Sequence, residues 1–289
     1  LDITRNNIIA VAVDLTGRII AEKREKHSFE LSDRYYRHLG GLIKGVIKDA
    51  SIDEKNMLGV GFGVPGLVTA DNQTVFYGEI LKFTGATCGN FSRYIPYPSA
   101  MFNDANAAGR AEFWIRREPG SAFYVMLSNN VGGTVMINNR ILEGAHFHSG
   151  EIGHLTLHPG GKNCYCGRNG CVDPYLAATV LSTPYSGSLE EFFIQLEKEN
   201  KRAKKIWDTY LDNLALAANN LQALFDCTII IGGYVAEYLE KYMGEVKKRA
   251  ARLNTFEKNA DSREISRDFT NSIAAGAALY FISRFIDSI

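Results

Sequence analysis

The stretch Gly150-Glu-Ile-Gly-His154, followed after nine residues by Cys164-Tyr-Cys166-Gly-Arg-Asn-Gly-Cys171-Val-Asp173, decides how this chain is read. Three of the five cysteines fall within eight residues, with His154 just upstream. That is the ligand inventory of a Cys₃His zinc site, whose closed tetrahedral shell takes thiolates and a neutral imidazole. Glycines inside the loop supply the positive φ needed to wrap three sulfurs around one ion. The competing reading is a buried or disulfide-bonded cysteine cluster. Cys164 and Cys166 are poorly placed to bond each other, and a cytosolic disulfide would be unusual. Zinc on His154, Cys164, Cys166 and Cys171 is therefore expected.

The composition surrounding this stretch is that of an ordinary globular protein. With 289 residues, 46% hydrophobic and 22% charged, the chain has room for two domains or one large one with a normal core. Lys+Arg and Asp+Glu both total 32, so no bulk charge points to nucleic acid. No apolar run approaches the roughly 20 residues that span a bilayer. No basic-then-apolar leader opens the chain, and a cytoplasmic location is expected. Cys88 and Cys227 stand alone and read as small buried hydrophobes. The first residue is Leu1, so a fragment with something upstream is expected.

Outward from the cysteine loop, strands and helices alternate. The run 8–13 reads as a buried strand, Asp14 to Gly17 as a turn, and 18–26 as a second, more polar strand. Leu39, Leu42, Ile43, Val46 and Ile47 recur at helical spacing and predict a helix over 35–49. The glycine-rich segment 58–66 reads as a strand and turn, 105–117 as a helix, and 123–127 and 135–137 as strands flanking Ser128 to Gly133. Helical regions follow over 174–181 and 188–225, with a solvated charged face at 197–205. A buried strand over 227–231 ends in Gly232-Gly233, and helices over 234–253 and 271–286 close the chain.

Gly-Glu-x-Gly-His followed by Cys-x-Cys-Gly-x-x-Gly-Cys resembles the signature of the ROK family, which groups sugar kinases with sugar-responsive transcriptional repressors. The resemblance covers nearly the whole chain. It implies that Glu151 and His154 contact a sugar while His154 also joins Cys164, Cys166 and Cys171 on the metal. Asp173 stands where the family usually has a Glu as a further sugar ligand, one methylene longer. Gly63-Val-Pro-Gly66 is similar to the family's turn beside the sugar cleft. Asn103-Asp104 is similar to its Asn-Asp pair, in which the Asp is the base that deprotonates the sugar hydroxyl in kinases. Seen alone, that pair would read as a turn or helix N-cap. His146 and His148 read as loop or cleft-rim residues.

The resemblance also implies the fold. Pattern alone supports α/β. The family implies an actin-like ATPase, ribonuclease-H-like duplicated fold, two α/β halves with a cleft between them. The smaller domain is expected over 1–105 plus a C-terminal helix 271–289, and the larger over 106–270 with the zinc loop 154–171.

Three positions would hold the nucleotide in a kinase of this family. Where an Asp-x-Gly-Gly-Thr turn is expected, the chain has Asp2-Ile3-Thr4-Arg5-Asn6, without glycine. Glycine matters there because a bare backbone lets amides approach an anion. Where a Gly-Thr-Gly-x-Gly-Gly-Gly turn is expected, it has Ser128-Asn-Asn-Val-Gly132-Gly133-Thr134, similar to the repressor branch. The pair Gly232-Gly233 survives at the adenosine-facing position, where it also reads as a plain turn.

Two of three nucleotide motifs are thus degraded while the sugar positions persist. The expectation is the effector-binding, sugar-kinase-like domain of a ROK-type transcriptional regulator, binding a sugar or sugar phosphate. A homodimer or homotetramer is expected to reach operator DNA through an upstream helix-turn-helix, with no membrane partner. The alternative is an ATP- and magnesium-dependent sugar kinase with Asp104 as base. A third possibility is a sugar-binding protein with neither activity.

Overall fold

A computed structural model describes residues 1–117, 120–256, 259–267 and 271–289. The chain divides into two units. The first comprises Leu1–Glu118, Glu143–His148 and Asn271–Ile289, and the second Pro119–Leu142 and Ser149–Thr270.

In the first unit, β1 (Asp2–Ile3), β2 (Asn7–Val13) and β3 (Ile19–Lys26) precede β4 (Val60–Val64), a small hairpin of β5 (Leu67–Val68) and β6 (Val75–Tyr77), and β7 (Ser99–Asn103). The main sheet has the order β3-β2-β1-β4-β7. β1–β2 and β2–β3 are antiparallel, and β1–β4 and β4–β7 are parallel. Helix Asp33–Asp49 buries the stripe Tyr35, Leu39, Leu42, Ile43, Val46 and Ile47 in this unit's core, and the Ser32 side chain caps its first turn. Helices Asp104–Arg116 and Ser272–Ile286 meet along small residues; a Cβ on Gly276 would collide with the Ala107 carbonyl. At the Leu1 end of β1, Leu1, Val11, Ile47, Gly61 and Phe281 help line an apolar cavity of about 700 Å³.

The second unit repeats the plan. β8 (Ala122–Leu127), β9 (Val131–Ile137), β10 (Arg140–Ile141), β11 (Thr228–Gly232) and β12 (Arg263–Ile265) form a sheet of order β10-β9-β8-β11-β12. β8–β9 and β9–β10 are antiparallel, and β8–β11 and β11–β12 parallel, matching the first sheet strand for strand. This is the duplicated ribonuclease-H-like topology. The 25-residue helix Lys201–Phe225 supplies much of the core through Trp207, Tyr210, Leu211, Leu214, Ala218 and Leu221. Tyr210 donates its hydroxyl to the Leu176 carbonyl at 2.7 Å, tying the helix to the segment after the cysteine loop. Among the described residues no helix is long and apolar enough to cross a membrane.

Several elements differ from the sequence reading. The first unit runs on past 105 because helix Asp104–Arg116 packs on the C-terminal helix; the expected end at 270 falls outside the described residues. β9 begins at Val131, so Gly132 and Gly133 are paired strand residues opposite Met126 and Val125, and the turn shrinks to Ser128–Asn130. Asp2 and Ile3 are likewise strand, not turn. The region expected as helix over 174–181 is two short helices, Asp173–Leu176 and Ala178–Ser182, and that over 234–253 breaks into Ala236–Leu239 and Met243–Leu253. Strands β7 and β12 went unread.

Candidate metal centre and ligand-binding residues

The Gly-Glu-Ile-Gly-His segment lies backbone to backbone on the start of β9. Gly150 has φ of 85°, a Cβ there would collide with the Gly133 carbonyl, and one on Gly153 would collide with the carbonyl of Val131. Two glycines on the segment and one on the strand thus permit an approach that side chains forbid. Ile152–His154 forms one 3₁₀ turn, and the His154 amide donates to the Glu151 carbonyl at 3.1 Å. Residues i and i+3 eclipse in a 3₁₀ turn, which sets Glu151 and His154 on one side. Glu151 is half-buried, and its carboxylate has no hydrogen-bond or ion-pair partner among the described residues. Burial pushes its carboxyl up to about 7.

His154 stands beside the three cysteines. The four ligand atoms lie within 4.8 Å of one another, with His154 Nδ1 3.8 Å from Cys164 Sγ and Cys166 Sγ 3.8 Å from Cys171 Sγ. Metal–sulfur bonds of about 2.3 Å and a metal–nitrogen bond of about 2.0 Å give tetrahedral edges of about 3.8 and 3.5 Å. The donor set and spacing fit one tetrahedral ion, and all three thiols are free of disulfides. Local hydrogen bonds hold the loop. Cys164 and Arg168 pair through the Cys164 amide at 2.8 Å, and the Gly167 amide donates to the Cys164 carbonyl at 3.0 Å. The Lys162 amide donates to the Tyr175 hydroxyl at 2.8 Å, and His158 Nε2 and Asn213 Oδ1 lie 2.6 Å apart.

Asp173 is buried at the start of the helix after the loop, and one of its oxygens accepts the Val131 amide at 2.7 Å. Burial raises its carboxyl, opposed by the Val131 amide and the Asn130 side chain. The residue expected as a sugar ligand therefore braces the Ser128–Asn130 turn as well. Gly133 packs on Gly150. Gly232 approaches the Tyr124 ring, and Gly233, with φ of 84°, lies on the Leu127 backbone. Gly133, Gly232 and Gly233 are thus each required by packing inside their own unit.

The remaining site residues belong to the first unit. Asn103 ends β7 and caps helix Asp104–Arg116, its Oδ1 accepting the Asn106 amide at 3.0 Å. Its Nδ2 donates to the Gly66 carbonyl at 3.3 Å, so these two expected residues meet. Asp104, half-buried, accepts the Ala105 amide at 2.8 Å. Asp2 is buried in β1, and burial pushes its carboxyl up to about 6. After it the chain closes a hairpin turn: the Thr4 amide and Thr4 Oγ1 both donate to the Asn7 carbonyl at 3.0 Å. Arg5 turns away, its Nη2 donating to the Ile80 carbonyl at 2.7 Å. The amides of His27 and Phe29 take up the Asn6 and Arg5 carbonyls at 3.0 and 2.9 Å. His148 packs its ring near Phe76 and His146, and neither histidine belongs to the His154–Cys171 group.

Sequence reasoning passed over Tyr165, whose Oη lies 3.1 Å from His154 Nε2, and Arg168, whose Nη2 donates to the His154 carbonyl at 3.1 Å. It also passed over Asn130 as a partner of Asp173. Only the position of Tyr165 between two cysteine ligands could have drawn attention to it.

Two five-stranded sheets of one topology define the actin-like ATPase fold. The chain belongs to the ROK family, whose model matches residues 1–283. It is 28% identical over 226 residues to an N-acetyl-D-glucosamine kinase of Yersinia enterocolitica, covering 69% of this chain and 74% of that protein. It is 25% identical over 273 residues to a putative xylose repressor of a Caldicellulosiruptor species, covering 86% of this chain and 68% of the relative. Its fold matches that of a ROK family glucokinase from Streptomyces griseus, crystallised with glucose and AMPPNP, with a TM-score of 0.78 at 20% identity, covering 96% of this chain and 97% of the other. Sugar kinases and repressors both stand among its relatives.

Proposed function

We propose that this chain is the sugar-sensing domain of a ROK-type transcriptional regulator and that it does not transfer phosphate. The observation that carries this reading is the turn after Asp2. Where a phosphate cradle needs open amides on bare backbone, the Thr4 and Asn7 amides are bonded within a hairpin, and one N–H of the Arg5 guanidinium donates to the Ile80 carbonyl. The second turn lacks its first glycines, and Asn130 and Val131 are engaged with Asp173.

On this reading Glu151, His154, Asn103, Asp104 and Asp173 orient sugar hydroxyls, with Gly66 at the edge of the site. Each buried hydrogen bond discriminates because the wrong epimer leaves a partner unpaired. His154, Cys164, Cys166 and Cys171 hold a structural zinc, which cross-links the loop and, bound at Nδ1, leaves the His154 Nε2 as a donor. Sugar shifts the protein between states only insofar as it binds one better. A homo-oligomer would pass that shift to a helix-turn-helix carried elsewhere in the polypeptide, whose half-sites lie about 34–36 Å apart.

The kinase reading keeps one observation in its favour: Asp104, the matching base position, is half-buried at a helix start. A base contributes about 10²–10⁴-fold. Losing two or three charge-assisted amide donors, each worth about 1–3 kcal/mol, costs on the order of 10²–10⁶-fold. The test is a coupled ADP-release assay with magnesium-ATP across hexoses, pentoses and amino sugars, beside calorimetric titration of the same sugars. Binding without turnover is expected. Turnover at about 1–100 s⁻¹ would replace the regulator with the kinase.

A further inference from the structure

The contact between Tyr165 and His154 lies within the second unit, and no motif of the chain accounts for it. Tyr165 Oη sits 3.1 Å from Nε2 of His154, and the phenol ring meets the imidazole edge-on at 5.1 Å and 68°. The backbone on both sides of Tyr165 carries a cysteine of the candidate metal group, and the loop brings its hydroxyl to His154. Tyr165 is 47% exposed, whereas Cys164 and Cys171 are buried.

We propose that Tyr165 sets the sugar selectivity of the site: its hydroxyl occupies the His154 Nε2 position that a sugar hydroxyl requires, so a ligand binds by displacing it. This inference rests on the sugar-sensing reading above. Its physical basis is donor arithmetic. A neutral imidazole bound to metal through Nδ1 has one remaining N–H, at Nε2. That single donor serves either the tyrosine oxygen or a sugar oxygen in good geometry. A sugar that offers a well-placed hydroxyl recovers the bond that Tyr165 gives up. An analogue lacking it leaves a polar group unpaired, and the tyrosine keeps its place. Displacement proceeds by rotation about the tyrosine side-chain torsions, for which the 47% exposed ring has room toward solvent. The Arg168 bond to the His154 carbonyl holds the histidine main chain still during that exchange.

The test uses the zinc-loaded full chain and the variants Tyr165→Phe and Tyr165→Ala, with zinc content and thermal midpoint measured for each. The same panel of sugars and their monodeoxy analogues is titrated calorimetrically into all three proteins. Removing one competing neutral hydrogen bond should tighten binding of the preferred sugar about three- to tenfold, and the gain should vanish for the one deoxy analogue that lacks the competing hydroxyl. In ¹⁵N-resolved spectra of the sugar-free proteins, the His154 Nε2 resonance should shift on Tyr165→Phe, and sugar added to the wild type should move it too. Weaker binding by Tyr165→Phe would show the tyrosine to be a ligand contact, and unchanged binding would show the contact to be idle. Either result overturns the inference and leaves the sugar-sensing reading standing. Failure of all three zinc-loaded proteins to bind any sugar would overturn both.

Discussion

The carboxylate of Asp173 accepts the backbone amide of Val131 at 2.7 Å, across 42 residues of sequence. One residue thereby joins the end of the cysteine loop to the turn between β8 and β9. The bond is buried and charge-assisted, and the Asn130 side chain adds to it. The turn that would cradle phosphate in a kinase is thus held from below by the side chain expected to face a sugar.

Asp173→Ala should therefore destabilise the protein as well as weaken sugar binding. The Val131 amide would be left buried without its partner, a loss of about 1–3 kcal/mol. Chemical denaturation should show a lower midpoint at unchanged slope. A variant as stable as the parent would mean that another group satisfies Val131.

Metal analysis of protein purified without chelator should find one zinc per chain. Cys166→Ser should lose most of it, since a hydroxyl is a poor substitute for a thiolate on this ion. Chelation should lower the thermal midpoint and weaken sugar binding together, because the ion and the Glu151-bearing turn share His154. Zinc-free protein with freely alkylated thiols and undiminished sugar binding would separate the two.

Gly153→Ala tests the approach of the Gly-Glu-Ile-Gly-His segment to β9. Its Cβ would run into the Val131 carbonyl, main chain with nowhere to yield. Overpacking of this kind costs about 1–3 kcal/mol, and the shift should also move His154 and reduce zinc retention. Gly160→Ala would not report on this contact, because no atom lies near its would-be Cβ and its φ of 71° brings strain of another kind.

Asp2→Asn should be stabilising at neutral pH and neutral in acid. Burial raises the Asp2 carboxyl from its ordinary 3.8 to about 6, so the folded state holds a proton that the unfolded state has released. Stability then falls as pH rises through that window, and the cost is fully present above about 6 and absent below about 4. About two pKa units correspond to roughly 3 kcal/mol, an upper bound on the gain at pH 7.5. Thermal midpoints of parent and variant between pH 4 and 8 should diverge with rising pH. A gap that is widest at the acid end would reverse the assignment.

Some of this was legible in the chain itself. The helix over 35–49 follows from one apolar stripe, and the buried strands from runs such as 8–13 and 227–231, because periodicity and apolarity are local properties. The grouping of the three cysteines follows from spacing alone, since eight residues of loop confine three sulfurs to one neighbourhood. The missing glycines after Asp2 were equally plain.

Tertiary structure decided what those residues do instead. Gly133 reads in sequence as part of a phosphate turn and Gly153 as part of the Gly-Glu-x-Gly-His signature, but their use is close backbone contact between segments separated by 20 residues or so of chain. Arg5 reads only as a residue where a glycine is expected, and its Nη2 donates to the Ile80 carbonyl. Helix Asp104–Arg116 reads as the start of a second domain and packs on Ser272–Ile286, because alanines and glycines match across helices far apart in sequence. Tyr165 is only the residue between two cysteines until the metal loop folds it onto His154. Spacing fixes which atoms a short loop can gather. Which of two distant segments a glycine, a carboxylate or a phenol will meet is set by the packing of both, and no local pattern contains it.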